Sequence, residues 1–249
     1  MIRLSRTQAK IVERILATIP LALGVAVAAF IFMRAIPGDP VDIMMGEAAW
    51  TSEEEMAALR GEMGLDEPMH VQLWTYLKQV FKWDLGYSIV RSRPVADIIR
   101  EALPATIELA VFAMLFALAV GIPIGVASAL NPNSFMDRVG TCLSLVGVSL
   151  PAFWLGIVGI LIFSMILGWL PTSGRIAYGA QPAHVTGLLV LDALITGNLP
   201  ALGNALKHIC LPMITLGLGV AAVVARVTRS SMLDVLSADY VQFARAKGV

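Results

Sequence analysis

Four stretches of this chain carry no charged residue: Ile15–Met33, Leu109–Leu130, Val139–Pro171 and Ile209–Ala225. About 20 helical residues, rising ~1.5 Å each, cross the ~30 Å of hydrocarbon in a bilayer. Lipid offers no partner to backbone N–H and C=O groups, so such stretches cross as helices, which satisfy those groups internally. The chain is therefore predicted to be all-α and polytopic, with four spanning helices in a bilayer. Composition agrees: 57% of its 249 residues are hydrophobic and 14% charged, more apolar surface than one soluble core can hide.

The third stretch exceeds one crossing. A helix near Val139 to Ile162, bent at Pro151 with Trp169 and Leu170 at the far interface, competes with a re-entrant hairpin around Ser149-Leu150-Pro151. The helix is favoured, because lipid tolerates unpaired backbone only under cover of protein or water. The first stretch, preceded by basic residues, has the layout of a secretory signal. Its 19 uncharged residues exceed a signal core, and Phe30-Ile-Phe-Met33 before Arg34 offers no small-residue cleavage site. It reads as a retained anchor.

Lysine and arginine set the sidedness, since short basic loops stay in the cytoplasm. Arg3, Arg6, Lys10 and Arg14 precede the first span, Arg138 follows the second, and Arg226, Arg229, Arg245 and Lys247 follow the fourth. The loop Thr172–His208 holds Arg175 and Lys207. Both ends of the chain are thus expected in the cytoplasm. The organisation expected is 1–33 as cytoplasmic end and first span, 34–102 as an external helical subdomain, 103–229 as spans two to four with outer loop 172–208, and 230–249 as a cytoplasmic segment.

In the external subdomain acids outnumber bases twelve to seven. Ser52-Glu53-Glu54-Glu55 has the form of a capping box, with Gly64 as the helix stop. Val71, Trp74, Leu77 and Phe81 recur at three- and four-residue spacing on a second helix, Pro68 to Lys82. Their stripe either packs the subdomain on the membrane helices or receives an external partner, the former being favoured. Gly187–Gly197 is too short to span and carries Asp192 at its middle, so it is predicted as a short interfacial helix.

Chemistry-bearing motifs are absent. Cys142 and Cys210 form no metal or redox pair, and His70, His184 and His208 are scattered, so no metal site or cofactor is predicted. Gly217-Leu-Gly219-Val-Ala-Ala222 lies within a span with no preceding strand, which removes the dinucleotide-binding reading, and no phosphate-cradling Gly-x-x-x-x-Gly-Lys loop exists. Ser144, Ser149 and Ser164 have no His or Asp beside them at membrane depth to act as base. Glu108 is the one candidate charge within the spans, read as a helix-start carboxylate at the interface. A secondary transporter relying on buried charges is thereby disfavoured, and a purely structural membrane scaffold stays open. Gly121 with Gly125, and Gly156 with Gly159, allow close helix approach. Arg226 and Arg229 read as interfacial anchors.

Leu233, Leu236, Tyr240 and Phe243 give the tail a one-sided helix, with Asp234, Gln242 and Arg245 off the stripe. Such a helix lies on lipid or enters a groove on a soluble partner. The tail resembles the cytoplasmic coupling segment of ABC-importer permeases. The chain as a whole resembles the first permease subunit of dipeptide and oligopeptide uptake systems. The resemblance rests on Ile36-Pro-Gly-Asp-Pro40, Gly64-Leu-Asp-Glu-Pro68, Trp83-Asp-Leu-Gly-Tyr-Ser88, Arg93-Pro-Val-Ala-Asp97, Leu103-Pro-Ala-Thr106, Leu167-Gly-Trp-Leu-Pro171, Ala225-Arg-Val-Thr-Arg-Ser-Ser-Met232 and Asp239-Tyr-Val-Gln-Phe-Ala-Arg-Ala-Lys-Gly248.

The resemblance implies a type I ABC-importer permease-like bundle with four of an expected six spans in this chain, two more following Val249. It implies a non-catalytic permease in a bacterial or archaeal inner membrane. Its implied partners are a second permease subunit, two cytoplasmic ATP-binding subunits and an external solute-binding protein; no nucleic acid is expected. The implied cargo is di- or oligopeptides, with glutathione, nickel chelates or another small solute as alternatives. The implied ATPase-coupling residues are Asp239, Tyr240, Val241, Gln242, Phe243, Ala244, Arg245, Ala246, Lys247 and Gly248. Gln242, Phe243 and Ala244 stand where the family's pattern has Glu-Ala-Ala, so a contact needing that acid is not carried over.

Overall fold

The computed structural model of the chain describes residues 6–38, 41, 53–62, 64–88, 90–91 and 93–248. The expectations resting on Arg3, on Asp39 and Pro40, on the Ser52–Glu55 capping box and on Val249 lie outside the described residues or side chains. The chain divides into two compact units, Met1–Arg100 and Glu101–Val249.

In the first unit, α1 (Arg6–Ala35) carries the first apolar stretch and runs through Pro20. Helix α2 (Glu53–Glu62) stops as predicted: Gly64 enters the left-handed region at φ +62°, and the Leu65 N–H reaches the Arg60 carbonyl at 3.0 Å. Helix α3 (Met69–Phe81) occupies the second predicted position. Of the Val71/Trp74/Leu77/Phe81 stripe, Val71 lines a pocket with Phe30 and Met33 of α1. Trp74 is 60% and Phe81 70% exposed, while Tyr76 stacks on Phe30 of α1 at 5.7 Å between ring centres. Gln72 Nε2 donates to the Leu65 and Glu67 carbonyls at 2.9 and 2.6 Å. That ties the α2–α3 turn to the first turns of α3. After α3, Trp83 (φ +61°) and Gly86 (φ +74°) reverse the chain into a two-residue antiparallel ladder, β1 (Tyr87–Ser88) on β2 (Arg93–Pro94).

Helix α4 (Val95–Leu130) carries the second apolar stretch. There follow α5 (Phe135–Ser149), α6 (Ala152–Gly159) with a π-helical continuation over Ile160–Ile166, α7 (Leu189–Ile195), α8 (Leu199–Leu236) and α9 (Asp239–Ala246). Helices α1, α4 and α8 are each long and apolar enough to cross a membrane. The predicted third crossing is divided at Leu150 and Pro151, where proline removes a helical N–H donor.

The hairpin alternative is overturned by register. Along α5 and α6, Asp137 meets Arg229, Gly147 faces Leu218 and Ala222, Gly156 faces Thr215 and Gly159 faces Leu211. Numbers rise on one side as they fall on the other, without reversal at Pro151. From Leu211 to Arg229 α8 advances about 27 Å, close to the hydrocarbon thickness. The α5–α6 pair is thus one kinked crossing, antiparallel to α8.

Helix α4 lies parallel to α8, and the glycines set the approach as predicted. A Cβ at Gly121 would stand 2.7 Å from the Ala221 carbonyl oxygen, and one at Gly125 would stand 2.6 Å from Thr228 Cβ. Ala221 and Ala225 are buried opposite them. Small residues on both helices let the backbones touch, which drives packing where the hydrophobic effect does not.

Candidate functional site

The fourth apolar stretch ends at Ala225, but α8 continues to Leu236 before the chain bends. Ser237 and Ala238 make the joint. Their N–H groups bond the Leu233 and Val235 carbonyls at 3.0 and 3.1 Å, and Ser237 Oγ donates back to the Asp234 carbonyl at 3.0 Å. This side-chain bond competes with helix continuation, while Asp239 supplies an acid for the first turn of the next helix. The predicted single helix carrying Leu233, Leu236, Tyr240 and Phe243 is therefore corrected: the first two lie on α8, the last two on α9.

All ten predicted coupling residues, Asp239 to Gly248, fall on α9 or its closing turn. Tyr240 and Phe243 are 67% and 62% exposed on one side, and Val241 and Ala244 are half-buried. Gln242 Nε2 donates to the Ser237 carbonyl at 3.0 Å, holding α9 to the joint. Lys247 places its Nζ 4.4 Å from the Phe243 ring centre, a cation–π contact. Gly248 takes φ +82°, the sharp exit a glycine permits. The side chain of Arg245 lies outside those described. Chemically the segment offers exposed aromatic surface and a cation.

Near this end of the bundle, the Asp137 carboxylate receives Arg229 Nε at 2.8 Å and Nη2 at 3.0 Å, a bidentate pair. Asp137 also accepts the Asn133 N–H at 2.9 Å. Arg229 is thus a cross-brace between α5 and α8, correcting its reading as an anchor, whereas Arg226 is exposed. The two partners stand 92 residues apart, and no local spacing links them.

At the opposite end Glu108 is buried, well inside α4 rather than at its start. It accepts Arg175 Nη2 at 2.8 Å and the Val190 N–H at 2.6 Å. The reading of Glu108 as the start of its own helix is corrected: α4 begins thirteen residues earlier at Val95, and the carboxylate instead takes an N–H of α7. Arg175 also donates to the Gly187 carbonyl at 3.0 Å. The short helix predicted around Asp192 is α7, and Asp192 is 1% exposed. It receives the N–H groups of Val185, Thr186 and Gly187 and the Thr186 hydroxyl, at 3.2, 2.7, 3.0 and 2.6 Å. Burial pushes its carboxyl pKa up, but these bonds outweigh burial and bring it down to about 2.

Comparison with known proteins identifies the bundle. Residues 121–249 match the family model "binding-protein-dependent transport system inner membrane component", and residues 8–110 match the model of that system's N-terminal membrane component. The dipeptide transport system permease protein DppB of Alkalihalophilus pseudofirmus is 41% identical over 95% of this chain and 70% of its own length. The probable D,D-dipeptide transport system permease protein DdpB of Escherichia coli is 43% identical over 91% of this chain and 66% of its own. The glutathione transport system permease protein GsiC of Salmonella choleraesuis is 40% identical over 96% and 68%. The chain therefore spans about two thirds of each relative. It is a multi-pass membrane protein belonging to the family of binding-protein-dependent transport system inner membrane components.

Proposed function

We propose that this chain is the permease of an ATP-driven importer of di- or oligopeptides, and that α9 couples ATPase closure to the membrane helices. The observation that carries the coupling role is α9 itself: a short helix with Tyr240 and Phe243 bare, braced to the end of a spanning helix. It would sit in a cleft of a cytoplasmic ATP-binding subunit, with a second permease alongside and a solute-binding protein on the outer face. Displacement of α9 passes through the Ser237–Ala238 joint to α8, and through Asp137–Arg229 to α5, as one rigid body. The chain supplies no catalysis in this scheme. Sidedness follows the positive charges: α9 and the amino end lie in the cytoplasm of a bacterial or archaeal cell, and Glu108, Arg175 and Asp192 lie near the outer face.

Peptide cargo is supported by the dipeptide permeases among the relatives, and the glutathione permease favours a small peptide thiol as the alternative. The permease at its full cellular length, reconstituted in vesicles with its partners, should accumulate labelled dipeptide only when the ATP-binding subunits are present and hydrolysing. Accumulation without them would overturn the proposal.

A further inference from the structure

A cavity of about 260 Å³ opens where α4, α5 and α8 converge, lined by Ile124, Ser128, Gly140, Thr141, Arg226 and Arg229 with Ala225. Its position matters, because Arg226 is the first charged residue after the apolar stretch that ends at Ala225. That is the depth at which phospholipid phosphates lie. Ser128 is 2% exposed, and its hydroxyl makes no hydrogen bond among the described residues. That hydroxyl is not sealed in the packing but borders the cavity and is open to it. Arg226 likewise forms no ion pair or hydrogen bond among the described residues. Arg229 commits Nε and Nη2 to Asp137, leaving Nη1 undirected. The Thr141 hydroxyl is exposed beside them. Counting the Asp137 carboxylate, the cluster keeps a net positive charge.

We infer that this cavity binds a phosphate-bearing anion, with Arg226 and the free Nη1 of Arg229 on the phosphate oxygens and Ser128 and Thr141 donating from the walls. Arginine and hydroxyl donors suit phosphate oxygens, and the absence of a side chain at Gly140 keeps the space open: a Cβ there would lie 2.9 Å from Ser128 Oγ and from Ile124. The ligand is a phospholipid headgroup or free phosphate, which share this chemistry. The site does not depend on the proposed transport role.

The test uses the permease at its full cellular length, stripped of lipid in detergent, and native mass spectrometry with dioleoyl phosphatidylglycerol, dioleoyl phosphatidylcholine or inorganic phosphate. Phosphatidylglycerol or phosphate should be retained at one site, and Arg226→Gln should weaken retention about fivefold, the scale of one arginine at a membrane surface. Gly140→Val, which fills the cavity, should abolish it, while Arg138→Gln, outside the cavity lining, should leave it unchanged. Phosphatidylglycerol that excess phosphate fails to displace identifies the headgroup, and phosphate that binds alone and displaces lipid identifies the free ion. Equal retention by wild type and Arg226→Gln, or equal losses in Arg138→Gln and Arg226→Gln, would overturn the site in favour of diffuse attraction; Arg226→Gln keeps the test valid if Gly140→Val does not fold.

Discussion

Asp192 shows how much one buried carboxylate can organise. Three successive N–H groups and a hydroxyl converge on it, so Asp192→Ala leaves them facing an apolar wall and should lower unfolding stability by about 3 kcal/mol, read from thermal melts in detergent. Its pKa gives a second reading. The folded value, about 2, lies below the ordinary 3.8, so its contribution is fully present above about pH 4 and is lost as pH falls toward 2. The stability gap between wild type and Asp192→Asn should therefore be flat near neutrality and shrink in acid; a gap that widens in acid would contradict the assignment. Asp192 was visible in the sequence only as a charge too costly for lipid. Its partners, three backbone groups of a loop, leave no pattern in side chains. Glu108 was misjudged as a helix start because α4 begins at Val95, well before the apolar stretch, and its partners Arg175 and Val190 are distant in sequence.

At the scale of the element, the apolar stretches were legible because charge-free length is a one-dimensional property. The four-residue glycine spacing was equally legible, and it predicts that Gly125→Leu, pressing on Thr228 and the Ala225 carbonyl, destabilises the α4–α8 contact by about 2 kcal/mol. Resistance to denaturation in mixed detergent measures this. The kink at Pro151 was legible too, but its geometry was not: a hairpin and a kinked crossing place proline identically, and the α8 register alone separates them. The undivided tail helix failed for a plain reason. Periodicity counts side chains, whereas Ser237 competes for the backbone through a single hydrogen bond to a carbonyl. The split tail carries its own expectation. Because Tyr240 and Phe243 are exposed, replacing both with alanine should leave the melting temperature unchanged yet reduce co-purification of the ATP-binding subunit, by pull-down from membranes.

For the whole molecule, two braces stand at opposite ends of one bundle, Asp137–Arg229 beside the basic end and Glu108–Arg175 beside the other. Between them, among the described residues, the α4–α8 contact is built on Gly121, Gly125, Ala221 and Ala225. Sidedness is open to a direct check, since Tyr178→Cys, at a fully exposed position, should react with a membrane-impermeant thiol reagent added outside cells while Phe243→Cys should not. The claim on which the mechanism turns is that α9 engages the ATPase. Ala244→Cys in the full-length permease, paired with cysteines along the ATP-binding subunit's cleft, should crosslink to a degree that changes between the nucleotide-free and ATP-trapped states. Crosslinking indifferent to nucleotide, or labelling of Ala244→Cys by lipid-phase reagents alone, would contradict it.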